Sequence, residues 1–214
     1  MHVLITGANR GIGKGMADLY RTQGASVTGT HRAPPHDGML RCDVTNPDSI
    51  TQMSADYGAT PLDLLVVNAG LLLDKDEPLT GYPPEMWAQT LATNVTGVFL
   101  TIQALLPQLR ASRGKIAIIA SQLGSQNIAS GGRYAYCASK AAAINIGRNF
   151  AVDLKPDGIA VGIYHPGWVQ SDMGGPNAAI TVAESAEGLV QRFDALSLKT
   201  TGCFETWDGR THPF

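Results

Sequence analysis

The chain has 214 residues, of which 44% are hydrophobic and 16% charged: enough apolar material for one sizeable core and too little charge for a disordered chain. Lys and Arg number 16 against 18 Asp and Glu, a net charge of −2, which offers no basic face for nucleic-acid phosphates. No apolar run reaches the roughly 18 residues of a membrane helix, so neither a nucleic-acid nor a membrane partner is expected.

In chain order, strand-like and helix-like segments alternate. His2–Thr6 is a short β-branched run, and its start so near the first residue leaves no room for a signal peptide. Ile12–Gln23 reads as a helix closed by Gly24. Ser26–Thr30 and Met39–Cys42 are the next strands, joined by only some eight residues that carry Pro34-Pro35. A crossover helix of the usual dozen residues is therefore trimmed to a loop there. Asp48–Tyr57 reads as a helix, with Asn46 or Thr45 as cap and Pro47 in its first turn. Leu62–Val67, apolar apart from Asp63, reads as a strand buried on both faces. Pro84–Leu109 reads as one long helix, Lys115–Ala120 as another buried strand and Tyr134–Leu154 as a helix stopped at Lys155-Pro156-Asp157-Gly158. Ile159–Tyr164, a helix over Val182–Phe193 and a strand over Cys203–Trp207 complete the series. This order implies a single α/β domain over residues 1–214, a Rossmann-type doubly wound parallel sheet.

Four places carry chemistry. Thr6-Gly7-Ala8-Asn9-Arg10-Gly11-Ile12-Gly13 lies where the first strand turns into the first helix. Glycines there let the backbone approach a pyrophosphate, and the helix start offers it free N–H groups. Tyr136 and Lys140 stand four apart on one helix face. Any exposed helix can carry such a pair, but its chemical reading is an acidified phenol. Moving that phenol from about 10 to about 7 takes roughly 4 kcal/mol. One lysine charge at about 4 Å supplies on the order of 4 kcal/mol at an effective dielectric near 20. Ser121 closes the strand Lys115–Ala120, at the end of the sheet where ligands gather. Asn94 lies inside the long helical stretch, a costly place for Asn unless it bonds something.

Three cysteines without a CxxC pair and five histidines without ligand spacing predict no disulfide framework and no metal site, and a reducing cytoplasmic location. His165 reads as a strand-end packing residue. Cys137 faces about 100° away from Tyr136 on the helix and reads as an inert thiol.

The joint pattern resembles the short-chain dehydrogenase/reductases. It consists of the glycine segment, Asn68-Ala69-Gly70, Asn94, Ser121, Tyr136-x-x-x-Lys140 and Pro166-Gly167. Finer features, among them His165-Pro-Gly-Trp-Val169 and Asp172-Met-Gly-Gly-Pro176, are similar to the branch of the C-factor and sniffer-type carbonyl reductases. The ending Trp207-Asp208-Gly209 is similar to that family's last strand, which leads one to expect a complete domain.

The resemblance implies an oxidoreductase that moves a hydride between NADP(H) and a carbonyl or alcohol. Tyr136 would exchange the proton, Lys140 would bond the nicotinamide ribose and hold the phenol acidic, Ser121 would orient the substrate oxygen, and Asn94 would sustain a water relay from Lys140. Gly7, Asn9, Arg10, Gly11, Ile12 and Gly13 would hold the phosphates. Asp43 and Val44 match the adenine contact. Asn68, Ala69 and Gly70 lie beside the cofactor, with Pro166, Gly167, Val169 and Ser171 around the nicotinamide. Leu123, Tyr134, Trp168 and Met173 would line the substrate pocket under a lid at about 170–182. A homo-oligomer, dimer or tetramer, is implied too.

Ser121 and Tyr136 are fifteen apart, about two more than is commonest in the family. Tyr134 sits at the shorter distance but has Ala138 four residues on, so Tyr136 keeps the catalytic role. The end of the second strand, Thr30-His31-Arg32, lacks the acid that selects NAD, and Arg10 and Arg32 could converge on a 2′-phosphate. NADP(H) is therefore favoured and NAD(H) is the alternative. The rival in another class is a non-catalytic NAD(P)-binding regulatory or signalling protein on the same fold. A sugar epimerase is disfavoured by the few residues after Tyr164.

Overall fold

The computed structural model describes residues 1–33 and 38–214. Seven strands form one sheet: β1 (His2–Ile5), β2 (Ser26–His31), β3 (Met39–Arg41), β4 (Leu64–Val67), β5 (Lys115–Ile119), β6 (Ala160–His165) and β7 (Phe204–Thr206). All neighbours are parallel, in the order β3-β2-β1-β4-β5-β6-β7. Each expected strand forms, with its bounds moved by two residues at most. The loop expected at Pro34-Pro35 lies outside the described residues.

Because side chains alternate across a strand, each apolar strand feeds two cores. Leu4, Leu65, Val67, Ile116 and Ile118 pack with Ile50 and Met53 of α2 (Pro47–Tyr57) and with Val98 and Ile102 of α4 (Gly97–Ala104). Val3, Ile5, Leu64, Val66 and Ala117 face Met16 and Tyr20 of α1 (Gly11–Thr22) and Leu189 and Phe193 of α7 (Val182–Ala195). These two layers explain why β4 is apolar at every position and β5 at every position after Lys115. Asn46 caps α2, its side chain accepting from the Asp48 and Ser49 N–H groups at 2.9 and 3.3 Å.

The single helix expected over Pro84–Leu109 does not form. It is divided into α3 (Pro84–Leu91), a π-helical turn at Ala92–Thr96, α4, and α5 (Leu106–Ser112), with a 55° bend at Leu105. Pro107 is the physical reason for the bend, since its ring removes an N–H and clashes with the preceding turn. Among the described residues no single helix is long and apolar enough to cross a membrane.

Strand order reverses between β1 and β4, so the loops leaving their carboxyl ends diverge and open a crevice there. On the far side of β4 lies β5, followed by Ser121 and a short 3₁₀ turn at Gln122–Gly124. That turn packs on α6 (Tyr134–Asp153), which carries Tyr136 and Lys140 to the same end of the sheet.

Candidate active site

The glycine segment leaves β1 and is stitched to the loop after β4. The Thr6 hydroxyl accepts from the Asn68 and Ala69 N–H groups, both at 2.9 Å, and the Asn68 amide donates to the Thr6 and Gly7 carbonyls at 2.9 and 3.2 Å. Gly7 has φ +67°, and a Cβ on Gly13 would stand 2.6 Å from the Asn68 Nδ2. Only glycine permits the sharp turn and this close approach. At the start of α1, Arg10 makes no side-chain cap and the first turn holds no acid, so its N–H groups remain open to an anion.

A cleft of about 480 Å³ opens beside this turn. It brings together Gly7, Asn9, Arg10, Gly11, Ile12, Gly13, Arg32, Asp43, Val44, Asn68, Ala69, Gly70 and Ser171, all expected at a cofactor, and also Met173, expected at the substrate. Sequence reasoning missed Thr45 and Asp172 in its wall. Thr45 has a local signal, since Asp43 two residues before it is a short turn-forming acid: the Asp43 Oδ1 accepts from the Thr45 N–H at 2.9 Å and hydroxyl at 2.7 Å. Partial burial works against the Asp43 charge, but those bonds and the nearby Arg32 and Arg41 hold its carboxyl below the usual range.

Pro166, Gly167 and Val169 lie outside this lining. The Pro166 carbonyl accepts from the Ser185 hydroxyl at 2.6 Å, and Val169 is buried in a bridge to Ile180. The segment from Trp168 to Ile180 is thereby fastened at both ends, through the Gln170 N–H to the Ile180 carbonyl and the Ile180 N–H to the Trp168 carbonyl. Arg10 and Arg32 both line the cleft. The Arg10 guanidinium pairs with Asp172 from this segment, and both partners are largely exposed.

The catalytic candidates meet beyond Gly70. Asn94, in the π-helical turn, is buried: its Oδ1 accepts from the Leu71 N–H at 2.9 Å, and its Nδ2 donates to the Leu71 carbonyl at 2.9 Å and to the Ser139 hydroxyl at 3.0 Å. The buried amide thus sits in a π-helical turn, a feature frequent at functional sites. All three bonds go to Leu71 and Ser139, and none reaches Lys140. A Cβ on Gly70 would stand 3.3 Å from the Asn94 Oδ1 and 3.5 Å from the Lys140 Nζ, so the absence of a side chain at Gly70 keeps a small space between them.

Lys140 and Tyr136 are both buried, with the Lys140 Nζ 5.6 Å from the Tyr136 ring centre and donating to the Ile119 carbonyl at 3.0 Å. The expected acidification is reversed. Burial pushes the Tyr136 phenol up to about 12, opposed mainly by the Ser121 hydroxyl beside it. The same burial pulls Lys140 down to about 8. Proximity in sequence fixes the face the two share, but the ammonium is turned to a strand carbonyl, and desolvation outweighs the groups that favour the phenolate. Ser121 is buried and accepts from the Leu123 N–H at 3.2 Å, which places its hydroxyl at the start of the 3₁₀ turn.

Tyr134, Trp168 and Met173 are exposed large apolar groups and Leu123 is half-buried. Tyr134 lies edge-on to Tyr82, centroids 5.4 Å apart, and the Trp168 indole donates to the Gly174 carbonyl at 3.0 Å. Cys137 is half-buried and burial raises its thiol, which agrees with an unreactive role. His165 is buried at the end of β6, where burial and the neighbouring His212 pull it down to about 4.

A parallel sheet with an anion-ready turn at its crossover, beside a buried phenol, ammonium and hydroxyl, defines a dinucleotide-binding oxidoreductase. Residues 1–180 match the sequence pattern of the short chain dehydrogenases. C-signal of Myxococcus xanthus is 35% identical over 162 residues, 72% of this chain and 93% of that protein. A 1-hydroxy-2-glutathionyl-2-methyl-3-butene dehydrogenase of Rhodococcus sp. is 30% identical over 221 residues, 97% and 96% of the two chains. Among solved structures, carbonyl reductase Sniffer of D. melanogaster superposes with a TM-score of 0.92 at 29% identity, covering 100% of this chain and 99% of that one. The NADPH-bound carbonyl reductase from chicken fatty liver gives 0.91 at 29% identity, covering 100% and 98%. The chain belongs to the short-chain dehydrogenase family.

Proposed function

We propose that the protein reduces a carbonyl, or oxidises the matching alcohol, with NADP(H) as hydride carrier and Tyr136 as the proton-exchanging group. The observation that carries this reading is the burial of Tyr136 and Lys140 together with Ser121, at the carboxyl edge of the sheet and beside the nucleotide cleft. The cofactor supplies the hydride. A phenol held near 12 is fully protonated at neutral pH, so Tyr136 enters a reduction as a proton donor to the carbonyl oxygen. Ser121 orients that oxygen. Lys140, cationic at pH 7, would bond the ribose hydroxyls, and its charge would stabilise the phenolate that proton transfer leaves behind.

The cleft fits NADP(H) through its open helix start and its acid-free Thr30-His31-Arg32 edge. Moving Arg10 to a 2′-phosphate breaks only an exposed ion pair with Asp172, which is worth about 0–1 kcal/mol. Tyr134, Trp168, Met173 and Leu123, under a lid at about 170–182, favour an apolar or aromatic carbonyl. A homo-oligomer and a cytoplasmic location belong to the same reading. A cofactor-binding signalling protein is the second reading, favoured by the name of the Myxococcus relative. A complete Asn94, Ser121, Tyr136 and Lys140 set speaks against it, because a sensor needs no proton donor.

The test is NADPH and NADH oxidation over a panel of apolar carbonyls, wild type against Tyr136→Phe. Tyr136→Phe is expected to abolish turnover while still binding NADPH, and NADPH is expected to be preferred by at least about tenfold. Turnover unaffected by the substitution refutes the catalytic assignment, and a preference for NADH refutes the cofactor.

A further inference from the structure

We infer that Asp74, on the loop after β4, is a positioning residue for Tyr136. It anchors the first turn of the catalytic helix to the loop that borders the nucleotide cleft.

The start of α6 has no cap of its own. Arg133, in the capping position, is left-handed at φ +50° and makes no side-chain bond to the helix, and it follows two glycines at positive φ, Gly131 and Gly132. Such an entry leaves the first N–H groups without partners and the helix start free to fray. Asp74 fills that role from 61 residues away. Its carboxylate Oδ2 accepts from the Ala135 N–H at 2.8 Å and from the Tyr136 N–H at 3.2 Å, the second and third helical positions that an N-cap side chain serves. The bond therefore holds the backbone of the proton donor itself.

Asp74 is fully buried, with 0% exposure, although carboxylates are rarely buried without a task. Its second oxygen, Oδ1, is buried and meets no donor among the described residues. A side chain kept for stability alone would be expected to satisfy both oxygens or be apolar.

The other end of the same loop is fixed just as closely. Leu71 exchanges two hydrogen bonds with the Asn94 side chain, and Asn94 also donates to Ser139, whose hydroxyl donates to the Tyr136 carbonyl at 2.7 Å. Tyr136 is thus held at its N–H by Asp74 and at its carbonyl through Ser139, and both tethers lead back to residues 71–74. Gly70, immediately before them, lines the cleft. Through this frame the phenol keeps its register with whatever occupies the cleft.

This inference rests on the proposed reductase reading. The test measures kcat and the KM for NADPH in Asp74→Ala and Asp74→Asn, together with melting temperature and the hydrogen exchange of the Ala135 and Tyr136 amides. Asp74→Ala is expected to lose kcat by about 10- to 100-fold below its melting temperature, with KM for NADPH within about twofold. Its two amides lose protection. Asp74→Asn keeps one acceptor oxygen and is expected to recover most of the kcat and the protection, because Asn caps a helix as well as Asp. Wild-type kcat in Asp74→Ala overturns the inference, as does an equal loss in both variants or amides that stay protected in Asp74→Ala. Wild-type protein that turns over no carbonyl sinks the reductase reading instead, and amide exchange then decides the Asp74 contact on its own.

Discussion

Gly124 is the position where a single methyl group should separate catalysis from stability. It closes the 3₁₀ turn that Ser121 begins, and a Cβ there would stand 2.6 Å from the Lys140 carbonyl carbon, 2.7 Å from the Ala141 nitrogen and 2.8 Å from the Lys140 oxygen. All three are helix backbone and cannot swing aside. In Gly124→Ala the turn must back away from α6 by roughly 1 Å to restore ordinary contact at 3.5–4.0 Å. Ser121 travels with the turn while Tyr136 and Lys140 stay on the helix, so the hydroxyl and the phenol part. A displacement of that size costs about 100-fold in kcat, and the overpacking costs about 1–3 kcal/mol of stability. The control is Gly147→Ala, on the same helix, where the added methyl meets side-chain carbons of Ile163 at 2.6 Å and Ile118 at 3.1 Å. It also overpacks, but against side-chain atoms rather than helix backbone. Steady-state carbonyl reduction and thermal melting of the two variants form the assay. Both should melt lower and only Gly124→Ala should lose kcat; equal kcat losses, or a Gly124→Ala enzyme with wild-type kcat, refute the argument.

Reduction should fall as pH rises through about 8, where the buried Lys140 loses its proton while Tyr136, near 12, keeps its own. Lys140→Arg should turn over more slowly but without that alkaline limb, because a guanidinium stays charged; a limb that persists in the variant assigns it elsewhere. His165 is neutral in the fold, its value drawn from 6.5 to about 4 chiefly by burial. The unfolded chain binds that proton first as pH falls, so the stability is whole above about pH 6.5 and is lost progressively toward pH 4, by up to about 3 kcal/mol. Urea midpoints between those pH values measure it, and a pH dependence unchanged in His165→Gln refutes the assignment.

The local chemistry of the chain was legible because it depends on neighbours in sequence. Asn46 before Pro47 is a helix start in any context, and the unbroken apolar runs of β4 and β5 can only be buried on both faces. The turn from Gly7 to Gly13 likewise announces an anion site, since it needs glycine for its backbone and a helix for its open N–H groups. Pro107 was equally visible, yet the helical periodicity around it masked a bend that the proline ring enforces.

What the tertiary structure decided concerns groups brought together from afar. Spacing places Tyr136 and Lys140 on one helix face, but the direction of their titration follows from burial, and burial comes from the sheet, the 3₁₀ turn and the loop after β4 packing around that face. Arg10 reads in sequence as a phosphate ligand, and only the fold sets Asp172, 162 residues later, beside it as a competing partner. Asp74 gives no signal: beside Lys75, Asp76 and Glu77 it reads as part of a solvated charged run, and only the folding of that loop against α6 makes it the cap of the catalytic helix. A sequence dictates each residue's own preferences, whereas electrostatic environment and long-range capping are set by which distant segments exclude water around them.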